Sequence, residues 1–373
     1  MKNEPLVSVV ITNYNGENYI EAAIESVLNQ TWKNWELIIV DDASTDRSLD
    51  RIRRYADDRI RLLVNSENLR VSAARNRGWN AAGGAYIATL DGDDVWKPEK
   101  LEKQVDYLES HPETGACFTW LTLIDGKGAP VRDEFLENVF RAENRTREAW
   151  IHDLLINGNC LADDSSLIRR ETLRRIRGSN PALVQLQDLD RWVRIALQEP
   201  LYVLQEPLLM YRRVSDGSSV SAPGKETFHR HHLEYAWMVG HVIREMEDDL
   251  FLRAFRQELR DPESRTPEEV RCEKAFLLCS DRFPGNGIRL YGFEMMEHLM
   301  REEKTERLLK DRYGFDIHQL MAMTGQPILY DLTCQAEVQD LKNRETELQN
   351  RLRLMENSRW WRIRSMIRGG RKA

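Results

Sequence analysis

The chain has 373 residues, 41% of them hydrophobic and 31% charged, with a formal net charge of −7. That apolar content supports a packed core and excludes wholesale disorder, the length allows two or three domains, and the mild acidity argues against nucleic acid as the main partner. The five cysteines are scattered, odd in number and without a CxxC pair, which excludes a zinc ribbon and a disulfide framework and fits reduced thiols.

Residues 7–11 are a short β-branched run and predict a buried strand, ending in Thr12-Asn13-Tyr14-Asn15-Gly16. Ile20, Ala23, Ile24, Val27 and Leu28 then share one helical face. Residues 37–40 predict a second buried strand ending in Asp41-Asp42, and Ser44 is placed to cap the helix carrying Leu49 and Ile52. Residues 60–64 predict a third strand, and residues 72–82 a helix closed by Gly83-Gly84. Residues 86–90 predict a fourth strand, ending in Asp91-Gly92-Asp93-Asp94; Pro98 then opens a helix through Leu108. This alternation predicts an α/β fold with a mostly parallel, doubly wound sheet. Ligands of such sheets bind beyond the carboxyl ends of the strands. Three strands here end in polar or acidic clusters on that edge. From about residue 228 to 311 the pattern is helical and charged, broken at Phe283-Pro284-Gly285-Asn286-Gly287. Val338, Leu341, Leu348, Leu352 and Met355 fall at heptad a and d positions, with Glu345 at one a position, which predicts a short coiled coil.

Asp91-Gly92-Asp93 carries the first chemical signal. Carboxylates so spaced at a strand end can hold a hard cation such as Mg²⁺ or Mn²⁺, which prefers oxygen ligands and leaves positions open for phosphate oxygens. An Asp-rich surface turn has the same letters, so the motif gains meaning from its companions. These are Val7-Ser8-Val9-Val10-Ile11-Thr12-Asn13-Tyr14-Asn15, Ser26-Val27-Leu28-Asn29-Gln30-Thr31, the stretch from Glu36 to Asp46, Ala74-Arg75-Asn76-Arg77-Gly78, and the stretch from Leu90 to Pro98. In this order the blocks resemble the family 2 glycosyltransferases, over roughly residues 5–221. The resemblance implies the GT-A fold and an inverting, metal-dependent transfer of a sugar from a nucleotide diphosphate sugar to a hydroxyl of an acceptor.

It also implies roles. Thr12 and Tyr14 would sit by the nucleotide, with Tyr14 stacking on the base; the alternative is an exposed loop aromatic. Asp42 would accept from the ring N–H of a pyrimidine base, while Asp41 caps a turn. Arg75 would face the diphosphate or the acids across the cleft; a helix-surface arginine is the alternative. Asp91 and Asp93 would share the divalent cation, with Asp94 a third contributor, because a dication removes the repulsion among close carboxylates. The general base would be Asp188, in Gln187-Asp188-Leu189-Asp190-Arg191-Trp192-Val193-Arg194. Asp190 is the competing candidate, as a first-turn helix acid. Two departures stand out. Gln187 replaces the Glu that usually precedes the base, and Val214 stands where many members carry a His. His229, His231 and His232 read as a solvated helix start. The chain has no GxGxxG or GxxxxGK[ST] phosphate cradle. The Gln187 to Arg191-Trp192 spacing is one residue longer than the Gln-x-x-Arg-Trp motif of processive synthases. Single addition is therefore expected.

Residues 359–373 are basic and contain no acid. Trp360, Ile363 and Ile367 share a helical face, a composition suited to an anionic membrane surface; a disordered basic tail is the alternative. No apolar run approaches the ~20 residues that span a bilayer, and the opening Met1-Lys2-Asn3-Glu4-Pro5 lacks a signal-peptide core. The expectation is a cytoplasmic protein, peripheral at the cytoplasmic face of the inner membrane. It would comprise a GT-A domain (1–222), a helical domain (223–333) and a coiled coil with a basic aromatic tail (334–373). Its expected partners are a nucleotide diphosphate sugar, a glycan or lipid-linked glycan acceptor in surface-polysaccharide synthesis, the membrane and a second copy of itself. A non-catalytic nucleotide-sugar-binding scaffold and a protein glycosyltransferase are the alternative readings.

Overall fold

The computed structural model describes residues 4–213, 224–325, 338 and 340–350. Its frame is an eight-stranded sheet: β1 Val7–Asn13, β2 Trp35–Asp41, β3 Ile60–Val64, β4 Tyr86–Asp91, β5 Val95–Trp96, β6 Ala116–Ile124, β7 Leu167–Arg169 and β8 Leu201–Arg212. The order is β3-β2-β1-β4-β7-β6-β8-β5. The expected parallel arrangement holds for β3, β2, β1 and β4. Beyond β4 the sheet is mixed. β7 runs antiparallel to both β4 and β6, β8 is parallel to β6, and β5 is antiparallel to β8.

Strand alternation explains why both faces are covered. Val7, Val9 and Ile11 of β1 pack on one face with Leu37 and Ile39 of β2; Val10, Ile38 and Val40 pack on the other. The first face is covered by α1 (Ile20–Leu28) and α4 (Lys100–Ser110). A five-residue helix, α2 (Ser48–Ile52), follows β2. The second face takes α3 (Arg70–Ala81), whose Gly78 permits close approach: a Cβ there would lie 2.3 Å from Val10 Cγ1. After β6 come α5 (Glu134–Val139), α6 (Arg147–Ile156), α7 (Arg170–Arg175) and α8 (Gln187–Ala196). Ser44 does not cap α2, which starts at Ser48; its Oγ accepts instead from the Asn15 N–H (2.9 Å) and from Asn13 Nδ2 (3.2 Å).

The helical region comprises α9 (Lys225–Glu245), α10 (Asp248–Ala254), α11 (Pro267–Cys279), α12 (Arg289–Arg301), α13 (Glu303–Tyr313) and α14 (Ile317–Thr324). The break expected at 283–287 falls between α11 and α12. Tyr235, Val239, Phe251, Phe255, Val270 and Leu277 join the same apolar core as Val10 and Ile38, so the sheet and α9–α11 share one interior. A smaller core of Cys272, Phe276, Met296, Leu299, Leu309 and Phe315 binds α11–α13 and the turn after them. Cys117, Cys160, Cys272 and Cys279 are free thiols. The heptad segment is helical at 338 and over 340–350, with Val338, Leu341 and Leu348 exposed; no coiled-coil pairing is seen among the described residues. Leu352, Met355, the basic aromatic tail, Val214 and Cys334 lie outside the described residues. No helix of the described residues is long and apolar enough to cross a membrane.

Candidate active site

The carboxyl ends of β1, β2 and β4 meet on one edge, and side-chain bonds staple their loops together. Asn13 donates to Asp41 Oδ2 (2.9 Å), and Asp41 Oδ1 accepts the Ser44 N–H (3.0 Å), the turn-capping expected for Asp41. Asn15, at φ 51°, accepts the Thr45 N–H on its Oδ1 (2.8 Å). Asn is among the few residues that occupy this left-handed region readily. Tyr14, between these two asparagines, is 53% exposed, a free aromatic face beside the β2 turn. Asp42 is only 4% exposed. Its Oδ1 accepts from Asn65 Nδ2 (2.6 Å) and the Leu69 N–H (2.9 Å), which fixes the carboxylate's orientation.

Asp91 closes β4. Thr12 donates its hydroxyl to Asp91 Oδ1 (3.0 Å), and the Asp91 N–H donates to Asp164 Oδ1 (2.7 Å). Arg75 grips both oxygens of Asp91 through Nη2 (2.8 and 2.9 Å). At 3% exposure, Arg75 faces the acids, not the helix surface. Its Nη1 reaches Asp163 Oδ2 at 2.5 Å, and the other oxygen of Asp163 accepts from Arg191. Arg191 is fully buried, stands over the rings of Trp79 and Trp192, and donates to Ser179 Oγ (2.7 Å). Asp91, Arg75, Asp163 and Arg191 thus form a row of alternating charges from the strand end to the first turns of α8. Burial opposes ionisation of Asp163, but Arg191 and Arg75 hold its carboxyl below the usual range.

The neighbouring acids behave differently. Burial, then the charge of Asp91, pushes the Asp93 carboxyl up to about 6. Burial and the charges of Asp164 and Asp93 raise Asp94 well above its ordinary value. Asp94 accepts the Arg212 N–H (2.7 Å), and Arg212 Nε donates to the Asp93 carbonyl (2.6 Å), so the end of β8 is laced to this turn. Among the described residues no three His, Cys, Asp or Glu side chains converge as a ready metal cage.

Asp188 occupies the second position of α8. Its Oδ2 accepts from Asn159 Nδ2 (2.7 Å) and its Oδ1 from the Leu189 N–H (2.8 Å). Burial, then the charge of Asp163, raises its carboxyl above the ordinary aspartate value. Gln187 accepts the Ser72 hydroxyl on its Oε1, a contact a neutral amide satisfies without burying a charge. Asp190 points to the other side of the helix and is bound by Arg194 at 2.5 and 2.9 Å. Sequence reasoning missed Asp163, Asp164 and the pairing of Arg191. The signal was two adjacent acids just before the short strand β7, in a 3-10 turn, Asp163–Ser165.

Three comparisons bear on this arrangement. Residues 8–177 match the model of Glycosyl transferase family 2. TuaG of Bacillus subtilis (strain 168), assigned as a teichuronic acid biosynthesis glycosyltransferase, is 35% identical over 219 residues, covering 58% of this chain and 82% of TuaG. The UDP-Glc:alpha-D-GlcNAc-diphosphoundecaprenol beta-1,3-glucosyltransferase WfgD of Escherichia coli is 43% identical over 103 residues, 28% of this chain and 41% of WfgD. In fold, residues 1–349 of S. aureus TarS, crystallised with UDP-GlcNAc, superpose with a TM-score of 0.54 at 16% identity, covering 82% of this chain and 91% of that one. The ordered motifs lie on a GT-A sheet and TuaG is matched over most of its length, so the chain belongs to glycosyltransferase family 2 and is a glycosyltransferase.

Proposed function

We propose that this enzyme transfers a sugar, with inversion, from a nucleotide diphosphate sugar to a hydroxyl of a lipid-linked glycan in surface-polysaccharide assembly. The observation that carries this reading is the charge row Asp91–Arg75–Asp163–Arg191, which ties the strand-end acids to the helix bearing Asp188. Arg75 acts electrostatically on both Asp93 and Asp188, so the two ends belong to one field.

On the donor side, Tyr14 stacks on the base and the fixed carboxylate of Asp42 accepts its ring N–H. Thr12 and Arg75 orient Asp91. Asp91 and Asp93 fit a Mn²⁺ or Mg²⁺ ion: the set is all oxygen, and the carboxyl of Asp93 is raised first by burial and then by the charge of Asp91, both of which a bound dication would offset. Such ions commonly take one or two protein carboxylates and complete their shell with water and phosphate oxygens. When bound, the ion would neutralise charge on the departing diphosphate. Asp94 contributes from behind by fixing the turn through Arg212. On the acceptor side, Asp188 takes the hydroxyl proton as the oxygen attacks the anomeric carbon opposite the leaving group. Its raised carboxyl is better matched to that task than an ordinary aspartate.

The lipid-linked acceptor follows WfgD, whose name specifies a diphosphoundecaprenol-linked sugar. The surface-polysaccharide setting follows TuaG. The basic aromatic tail would hold the enzyme at the cytoplasmic membrane face, and the heptad helix would pair with a second copy. The test is release of nucleoside diphosphate from a panel of UDP-, dTDP- and GDP-sugars with Mn²⁺ or Mg²⁺ and a lipid extract as acceptor. Release from one donor, lost on chelation and in Asp188→Asn and Asp93→Ala, is the expected outcome. Undiminished release after chelation would remove the metal from the scheme, and undiminished release in Asp188→Asn would remove the base.

A further inference from the structure

The helix that carries Asp188 begins without a side-chain cap of its own: Leu186 is its N-cap residue. The backbone N–H groups at such an end need acceptors. Here one carboxylate, from 48–50 residues away, takes the N–H of the N-cap residue and of the two residues that lead into it. Glu234, in the middle of α9, accepts the Val184 N–H on Oε1 (2.9 Å) and the Gln185 and Leu186 N–H groups on Oε2 (2.7 and 3.0 Å). It is 2% exposed. A buried carboxylate is costly unless several donors surround it, and these bonds are charge-assisted. Its negative charge also lies at the positive end of the α8 dipole.

The position of these three peptides gives the contact its meaning. They directly precede Gln187 and Asp188. The rest of the approach is tied to the catalytic half of the molecule: Asn76 holds Ser179 through its backbone (2.8 and 2.9 Å), Arg194 holds the Gly178 carbonyl (2.8 Å), and Ser72 holds Gln187. Residues 184–186 instead donate backbone hydrogen bonds to the helical region, and they are the last stretch before Gln187 and the base.

We infer that Glu234 is a positioning residue for the acceptor-side base, and that α9 thereby serves catalysis by fixing the peptide from which Asp188 projects. The inference rests on Asp188 being the base. An error of about 1 Å in such a group can cost about 10²-fold in rate.

The test is Glu234→Gln, which keeps the shape but replaces one acceptor oxygen with an N–H₂ donor. Turnover is read as nucleoside diphosphate release from the donor that the nucleotide-sugar panel selects, normalised to binding sites for that nucleoside diphosphate counted by calorimetry with Mn²⁺. The expected result is a fall in kcat of about 10- to 100-fold, with the donor KM and the nucleoside diphosphate Kd unchanged. A kcat equal to wild type per nucleotide-binding site overturns the inference, because a purely structural cap would lower the amount of folded protein and leave its turnover intact. If Glu234→Gln does not fold, hydrogen exchange on the unaltered protein decides. Amides 184–186 protected like the body of α8 support the anchor; exchange at the rate of an open loop overturns it. Asp188→Asn separates the two levels of the claim. If that variant turns over like wild type, the base assignment itself fails. If it is inactive while Glu234→Gln is fully active, only the positioning inference fails.

Discussion

The two halves of the proposed site are built on different principles. The proposed donor side is made where three parallel strands end, and its loops are stapled by short polar side chains: Asn13, Asn15, Asp41 and Ser44. Each bond is modest and the staples share the load. The acceptor side hangs on few, buried, charged anchors contributed from far along the chain: Asp163 and Arg191 for α8, and Glu234 for its approach. Shared polar staples should fail gradually, while single buried charges should fail abruptly, because removing one partner leaves the other unpaired in the interior.

The largest effect should fall on the acceptor side at the base. Asp188→Asn is expected to reduce kcat by about 10²- to 10⁴-fold with UDP affinity unchanged, read by UDP release and calorimetry. An equal loss of UDP binding would show that the two sides are not separable. Next comes Asp163→Asn, which strands Arg191 and leaves Arg75 with Asp91 alone, and should cost about 3–5 kcal/mol in urea unfolding. The same variant sharpens the electrostatic argument. As the proposed base Asp188 acts in its ionised form, so turnover should fall as pH drops through its raised pKa. Removing the negative charge of Asp163 favours that ionised form, so the acid limb of the kcat profile should move to lower pH. A limb that moves up, or stays, would mean the charge row does not reach the base. On the donor side, Tyr14→Ala should weaken UDP binding by about 1–3 kcal/mol while leaving the melting temperature in place; Tyr14→Phe should leave both alone. The smallest effect is expected for Asn15→Ala, about 1–2 kcal/mol of stability from left-handed backbone strain, with the neighbouring staples retaining the loop and its UDP affinity.

The same contrast explains what could be read from the sequence. Donor-side residues sit at the ends of apolar runs, so strand periodicity and a contiguous motif locate Thr12, Asp42, Asp91 and Asp93 together. Parallel pairing of β1, β2 and β4 then brings these ends into one line. Asp188, the proposed base, is singled out by its motif, but its surroundings are not, because nothing local in the sequence marks Asp163 and Glu234 as buried. An acid pair in a three-residue turn and a glutamate in the middle of a long helix read as surface residues until the fold buries them. Ser44 is the instructive miss on the donor side. A serine after a strand suggests a helix cap, but the helix began four residues later, and the hydroxyl was taken up by the neighbouring loop. The mixed order beyond β4 was hidden for a related reason, since β7 has only three residues.

The row Asp91, Arg75, Asp163 and Arg191 has a consequence for descent. Its four charges sum to zero, and they still sum to zero if Asp163 and Arg191 are both replaced by uncharged residues, because Arg75 keeps Asp91. Losing only one of the two leaves a buried surplus charge of one sign or the other. Substitution one at a time therefore passes through a destabilised ancestor. Among related chains that share this sheet edge, positions 163 and 191 should be inherited as a unit, both charged or both neutral.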